Sequence, residues 1–420
     1  MTSSFDRDSA APSSALDEAV DVLLRFGALM LRAGNTAART REWMEVVGRK
    51  LGLDAISVSL TLDCITASAR HGGASMTAMR ELGRSGIDVA RIDKLVQLAK
   101  SMQSGLAPRD IVARLADIES TPQRYSAALL APAIGIASGG FAFLNGAGVP
   151  GIIAAAIGGG VGQWLRSWLS RRQLNQYGVA ALCAIAASGS YLVTAALVAH
   201  TGLGFARHPA GFIASVLFLV PGFPLLAGLL DLLRHQIMAA VSRVAYGVMV
   251  LLAVAFGLSI VIEVAGVDLS PQPPLELAYA LKLLLRAIAS FVAACAFAML
   301  FNSPVRTVVA AGLVAVVANE LRLALYDGGM MLAPAAFFGA FTVGLATALA
   351  DLRFGVPRIA IAVPPVIIMV PGLYAYEMIV FFNQGKMLDA LQASASCGFI
   401  IGALAMGLAV ARIFSPRASR

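Results

Sequence analysis

The chain has 420 residues, of which 58% are hydrophobic and only 13% charged, with a mean hydropathy of +0.79. That balance excludes an ordinary soluble domain and reads as a polytopic membrane protein. The net charge of +8 does not point to nucleic acid, because residues 1–124 hold 16 Lys and Arg against 15 Asp and Glu while residues 125–420 hold 16 against 9. The excess lies among the apolar segments, where the positive-inside rule places it, and no basic run is interleaved with aromatics.

Residues 1–13 read as a disordered tail without the basic-then-apolar order of a signal peptide, so this end is expected to stay in the cytoplasm. A helix is expected from Ser14, with Ser14-x-x-Asp17 as a capping box and Val20, Leu23, Leu24, Gly27, Met30 and Leu31 on one face, ended by Gly34-Asn35. A second follows from Thr36 to Leu51, with Gly52 behind it as a C-cap. Ile56, Val58, Leu60 and Leu62 then alternate with Ser57, Ser59, Thr61 and Asp63, the pattern of a half-buried strand whose polar face is solvated or binds a small regulator. Further strands are expected at Cys64–Ala69 and Met76–Arg80, and further helices at Val89–Met102 and from Pro108. Residues 14–124 thus form a small cytoplasmic α+β domain.

Beyond it lie ten apolar spans, at 127–144, 149–168, 177–200, 209–231, 244–265, 278–301, 305–321, 329–350, 358–379 and 394–413. Each is near the ~20 residues that a bilayer requires. With the amino-terminal domain inside, the inner loops and ends gather eleven arginines, including Arg171, Arg172, Arg234, Arg243 and Arg412. The outer loops hold only Arg207, Arg322 and Lys386, with Lys282 and Arg286 snorkelling outward at the start of span six. The bias places the protein in the cytoplasmic (inner) membrane with both termini cytoplasmic.

Residues 125–268 and 269–420 read as two copies of five spans. Phe141-Ala-Phe-Leu-Asn145 matches Phe297-Ala-Met-Leu-Phe-Asn302, Gln163-Trp-Leu-Arg166 matches Asn319-Glu-Leu-Arg322, and Val220-Pro-Gly-Phe-Pro-Leu-Leu226 matches Val370-Pro-Gly-Leu-Tyr-Ala-Tyr376. An odd number of spans per copy makes the repeat inverted in topology, as in alternating-access carriers whose site lies between the copies. Proline inside a span removes a backbone donor and clashes with the preceding turn. Such breaks are tolerated in hydrocarbon mainly inside protein or along a wet cavity, although a structural kink is the plainer alternative.

Several features together carry a resemblance. They are a helix pair with Leu31, Gly34, Arg39 and Met44, the ten spans, and Pro-Gly-x-Pro-Leu at Pro221 to Leu225. Across essentially its whole length the chain resembles the threonine/serine exporter family. The resemblance implies secondary efflux of small neutral amino acids driven by the proton gradient. Related two-chain members are linked to efflux of dicarboxylates such as succinate, which keeps a dicarboxylate as the alternative substrate. The chain departs from the family pattern at Asn35-Thr36 and Thr40-Arg41, where an acidic residue is usual at each place.

A zwitterionic amino acid presents a carboxylate, an ammonium and, for threonine or serine, a hydroxyl. Half-helix N-termini suit the carboxylate and unwound carbonyls the ammonium. The substrate contacts are therefore expected from Pro221, Gly222, Phe223, Pro224, Pro371 and Gly372, with Tyr374 and Tyr376 as polar handles. Proton coupling needs a titratable group within a span, and the candidates are Glu377, Glu320 and Asp231. Asp231 has Arg234 nearby and Glu320 has Arg322, so ordinary ion pairs compete with both readings. Asn145, Asn302, Gln163 and Asn319 are supporting polar residues, the two at span ends being equally explained as caps.

Gly158-Gly-Gly-Val-Gly162 mimics a nucleotide loop but has no strand before it, so helix packing explains it, as for Gly135-x-x-x-Gly139. Cys64, Cys183, Cys295 and Cys397 are far apart, and His71, His200, His208 and His235 have no ligand spacing. No metal and no cofactor is predicted. A membrane-anchored hydrolase would need a nucleophile motif such as Gly-x-Ser-x-Gly, which the sequence lacks. The expected partners are a small solute, protons and the lipid bilayer; a homo-oligomer stays open.

Overall fold

The computed structural model describes residues 11–83, 86–102, 108–172, 174–199, 209–266, 277–354 and 358–414. They fall into two units, Met1–Gln123 with Leu230–Arg243, and Arg124–Leu229 with Val244–Arg420.

In the first unit, helices α1 (Ala11–Arg32), α2 (Ala37–Lys50), α3 (Val89–Ser101) and α4 (Pro108–Ser120) pack with an antiparallel sheet of β1 (Ala55–Leu60), β2 (Cys64–His71) and β3 (Ala74–Glu81) in the order β1-β2-β3. Helix α1 begins three residues before the expected Ser14, so Ser14 lies within the helix and is not its N-cap. Pro12 sits instead in the first turn, where its missing N–H has no helical partner to lose. Residues 1–10 of the expected tail lie outside the described residues, and 11–13 are helical. Gly34, at φ +91°, ends the helix.

Gly72 and Gly73, at φ +56° and +87°, make the two-residue turn that sets Ala74 opposite His71 and lengthens β3 beyond the expected segment. Leu23, Met30, Met44, Ile65, Leu95 and Leu115 are fully buried together. Gly27 lets Met44 close onto α1: a Cβ there would lie 2.5 Å from Met44 Sδ, and the methionine end would have to shift. Arg25 and Arg32 tie α1 to Glu119 of α4. Lys50 Nζ donates to the carbonyls of Ala99, Lys100 and Met102 at the C-terminal end of α3, where a cation is favoured. Ser57 and Ser59 are exposed on β1. Thr61 Oγ1 donates to Asp63 Oδ1 at 2.6 Å, which holds that carboxyl below the usual carboxylate range.

The second unit contains α5 (Ala127–Leu144), α6 (Val149–Ser170), α7 (Gln176–Ala199) and α8 (Pro209–Ala214), then most of α9 (Gly222–Leu232) and α10 (Ile237–Ala265). It continues with α11 (Tyr279–Leu300), α12 (Val305–Asp327), α13 (Leu332–Phe354), α14 (Arg358–Ile367), α15 (Gly372–Asn383) and α16 (Met387–Phe414). Among the described residues seven helices are long and apolar enough to cross a membrane, and Ile361–Ile367 with Gly372–Asn383 adds a pair bent by 43°. The protein is a multi-pass membrane protein. Several helices outrun their expected spans, most of all α10, which starts at Ile237 instead of 244, α12, which reaches Asp327 instead of 321, and α16, which starts at Met387 instead of 394; α13 and α15 also run on, to Phe354 instead of 350 and to Asn383 instead of 379. A helix's hydrogen-bond ladder continues past the point where its apolar stretch ends.

The two series of helices share details of geometry. After α5, Gly146 (φ +89°) receives the chain, with Gly146 N–H donating to Phe143 O and Ala147 N–H to Ala142 O. After α11, Asn302 (φ +59°) does the same, with Asn302 N–H to Met299 O and Ser303 N–H to Ala298 O. Gly257 of α10 packs on α7, its Cβ position 2.6 Å from Ala181 O and 3.1 Å from Ala184 Cβ. Gly407 of α16 packs in the same way on Phe337 O and Ala340 Cβ of α13. Phe141 and Phe297, which occupy matching positions, meet each other edge to face at 5.9 Å.

Candidate functional site

Both Pro-Gly pairs interrupt helices in the second unit, and they do so with the same hydrogen bonds. Before the first break Val220 N–H donates to Leu217 O, and before the second Val370 N–H donates to Ile367 O, each at 3.1 Å. After the breaks Leu225 N–H donates to Pro221 O and Ala375 N–H to Pro371 O, again each at 3.1 Å. Proline explains both gaps, since Pro221 and Pro371 lack the N–H that would continue the ladder. Pro364 and Pro365 remove two more donors from α14.

The breaks face one another. A Cβ on Gly222 would lie 3.6 Å from Ile367 Cγ1 and 3.6 Å from Val370 Cγ2, and a Cβ on Gly372 would lie 2.7 Å from Leu217 Cδ2 and 3.1 Å from Val220 Cγ2. Leu217 and Ile367, Val220 and Val370, and Gly222 and Gly372 are three pairs 150 residues apart, so each break meets the other through equivalent residues. Four aliphatic side chains therefore fill the space between the two glycines. Phe223, just past the first break, joins a file of rings through Phe301 (6.3 Å) and Phe297 (6.0 Å) to Phe141.

Each half-helix starts with N–H groups that have no acceptor inside the helix. In α15 Tyr374 is half-buried, while Tyr376 is fully buried and its hydroxyl has no hydrogen-bond partner among the described residues. Glu377 is half-buried and makes no hydrogen bond or ion pair among the described residues. Both carboxylate oxygens of Glu320 on α12 are buried without a hydrogen-bond partner among the described residues. The expected Glu320–Arg322 pairing is replaced: Arg322 Nε donates to Asn319 Oδ1 at 2.9 Å, and Asn319 Nδ2 donates to Ser290 Oγ at 2.8 Å.

The other polar candidates spread over several roles. Asn145 caps its own helix by donating to Phe141 O at 2.7 Å. Asn302 accepts from Arg124 N–H at 2.8 Å. Gln163 Nε2 donates to Ser167 Oγ at 3.2 Å, and its buried Oε1 has no partner among the described residues. Lys282 and Arg286 do not simply snorkel outward; both pair with Asp327, Arg286 at 2.5 Å and Lys282 at 3.5 Å.

Asp231 belongs to the first unit, and its partner is not the expected Arg234. Its carboxylate is fully buried, lies 3.3 Å from Arg243 Nε and accepts N–H bonds from Ala37 (3.2 Å) and Ala38 (3.3 Å), the first residues of α2. Arg243 Nη2 completes the cluster by donating to Asn35 O at 2.6 Å. Arg234 pairs with Glu42 instead. An anion at a helix start is well placed, so Asp231 fastens residues 230–243 to α2.

Residue-by-residue reasoning missed Arg322, Ser290 and Arg243. The signal for Arg322 was present in the match of Gln163-Trp-Leu-Arg166 with Asn319-Glu-Leu-Arg322, which sets an amide and an arginine one turn apart in both halves.

A family profile described as "Putative threonine/serine exporter" matches residues 21–265, and a second, "Threonine/Serine exporter, ThrE", matches residues 286–414. The chain is 23% identical over 412 residues to the "Threonine/serine exporter" of Corynebacterium glutamicum, covering 91% of this chain and 81% of that protein. It is 22% identical over 416 residues to the "Probable threonine/serine exporter" of Mycobacterium tuberculosis (strain ATCC 25618 / H37Rv), covering 93% and 75%. Over 250 residues it is 26% identical to the "Probable succinate transporter subunit YjjP" of Escherichia coli (strain K12), covering 58% of this chain and 93% of that one. No solved structure matches the chain.

Proposed function

The chain belongs to the threonine/serine exporter family, and from that premise we propose that it exports threonine and serine by moving two inverted five-span repeats about the paired Pro-Gly breaks. Family membership supports an amino-acid exporter. The observation that carries it is the reciprocal contact of the two breaks, Gly222 on Ile367 and Val370, and Gly372 on Leu217 and Val220. A contact between equivalent residues is what a two-fold relation between halves requires. Counting α6 and the interrupted α8–α9 segment with the seven long helices and the bent pair gives the ten spans of this reading.

Pro221, Gly222, Phe223, Pro224, Pro371 and Gly372 supply backbone to the solute, with Tyr374 and Tyr376 beside them. When the aliphatic contact between the breaks parts, the N–H groups that open α9 and α15 become available to an anionic group. Glu377, six residues past Pro371 on α15, is the first choice for coupling to proton entry, and Glu320 the second, since each is an acid without an ion-pair partner among the described residues. We assign Asp231 a structural role because its charge is already matched. The arginine bias supports insertion in the cytoplasmic membrane with both termini inside. The amino-terminal domain is assigned to gating or collecting substrate there.

The likeness to the succinate transporter subunit supports the second reading, a dicarboxylate substrate. Proteoliposomes loaded with unlabelled threonine, serine or succinate and given the labelled solute outside test both readings. Counterflow with threonine and serine is expected. Counterflow with succinate alone moves the assignment to dicarboxylates, and movement without trans-stimulation makes the protein a channel.

A further inference from the structure

Helix α12 carries an arginine that no acid among the described residues neutralises. The side chain of Arg322 is half-buried, and its Nε is committed to Asn319 Oδ1, itself held by Ser290 Oγ. Among the described residues neither Nη atom has a hydrogen-bond partner, and no carboxylate lies within ion-pair distance. The nearby acids do not fill that role. Asp327 is taken by Arg286 and Lys282, and the Glu320 oxygens have no hydrogen-bond partner among the described residues.

An arginine that snorkels runs toward the nearer helix end. This one is tied back to Asn319, one turn away from the Asp327 end and toward the helix centre. Ionisable groups placed so within a membrane segment are rare, and they mark solute pathways.

The location is specific. Arg322 Cβ and Met369 Sδ converge on Gly339, at 3.2 and 2.8 Å from its Cβ position, and Met369 stands two residues before Pro371 of the second break. Tyr374 stands in the first turn of α15, just past that break. One place beside the second break therefore offers a planar fork of donors free among the described residues, close to a helix start. A guanidinium fork matches a carboxylate through two parallel N–H bonds, which an ammonium or a neutral donor cannot reproduce.

We infer that Arg322, oriented by Asn319 and Ser290, receives the carboxylate of the transported solute beside the second break. The assignment rests on the exporter reading and deepens it: the substrates are small carboxylates, and the carboxylate is the group shared by an amino acid and a dicarboxylate. Asn319 and Ser290 are positioning residues, holding the fork while its Nη atoms stay free.

Arginine-selective labelling with phenylglyoxal, read by peptide mass spectrometry on the full-length protein in proteoliposomes that also report counterflow, tests this. L-Threonine or succinate is expected to protect Arg322, and which of them protects identifies the source of the carboxylate; L-threoninamide, which lacks that group, is expected not to. In the same vesicles Arg322→Gln is expected to raise the half-saturating threonine concentration on the order of ten- to hundredfold, and Arg322→Lys by less. Active vesicles in which Arg322 is labelled equally with and without solute, or in which threoninamide protects as well as threonine, overturn the assignment of Arg322 alone. Wild-type vesicles that move neither solute overturn the exporter reading itself.

Discussion

Asp231→Asn perturbs the first unit at its most tightly matched charge. The carboxylate is fully buried, receives two N–H bonds from α2 and sits 3.3 Å from Arg243 Nε, whose residue is itself only 5% exposed. Asparagine preserves the shape and one acceptor but removes the charge, leaving the guanidinium with the Asn35 carbonyl at 2.6 Å as its remaining acceptor in the cluster. Breaking one partner of a buried pair costs about 3–5 kcal/mol. Removing an anion from the start of α2 costs about 0.3–2 kcal/mol more. Against a typical domain stability of about 5–15 kcal/mol, that is a large share. Hydrogen exchange of residues 37–44, followed by mass spectrometry, is expected to accelerate by roughly two and a half to five decades, at about 1.36 kcal/mol per decade. Replacing both partners, Asp231→Leu with Arg243→Met, is expected to recover most of the loss, because no stranded charge remains. Unchanged exchange in the single variant, or a double variant worse than the single, would refute this account of the cluster.

Two further predictions concern the second unit. Gly257→Ala and Gly407→Ala each press a Cβ against a backbone carbonyl, of Ala181 and of Phe337, so each is expected to lower stability by about 1–3 kcal/mol in thermal-shift measurements. A loss in one with none in the other would count against equivalent halves. Glu377→Gln is expected to leave threonine counterflow in place while removing the response of net efflux to an imposed pH gradient. Intact gradient dependence in that variant would transfer the coupling role to Glu320 or elsewhere.

The sequence carries the main features of the second unit because they depend on local chemistry. A proline within an apolar run has to open the helix, whatever surrounds it, so the interruptions at Pro221 and Pro371 are legible without coordinates. The matched motifs also point to paired positions, since Phe141 and Phe297 belong to one of them and touch in the structure. What depends on distant partners is not legible. Arg234 is the nearest basic residue to Asp231 along the chain, yet the cluster is completed by Arg243 and by Asn35, which lies about two hundred residues away from both. Arg322 falls just past the expected end of its span, and apolarity alone gives no sign that α12 continues to Asp327. The first helix likewise starts where Pro12 permits and not where Ser14 could cap it.

The most direct test of paired, moving breaks is a reversible link across them. Gly222→Cys with Val370→Cys, in a background lacking the four native cysteines, places two thiols where a Gly222 Cβ would be 3.6 Å from Val370 Cγ2. Oxidation is expected to stop threonine counterflow, and reduction to restore it. Full counterflow in the oxidised, demonstrably cross-linked protein would contradict the account.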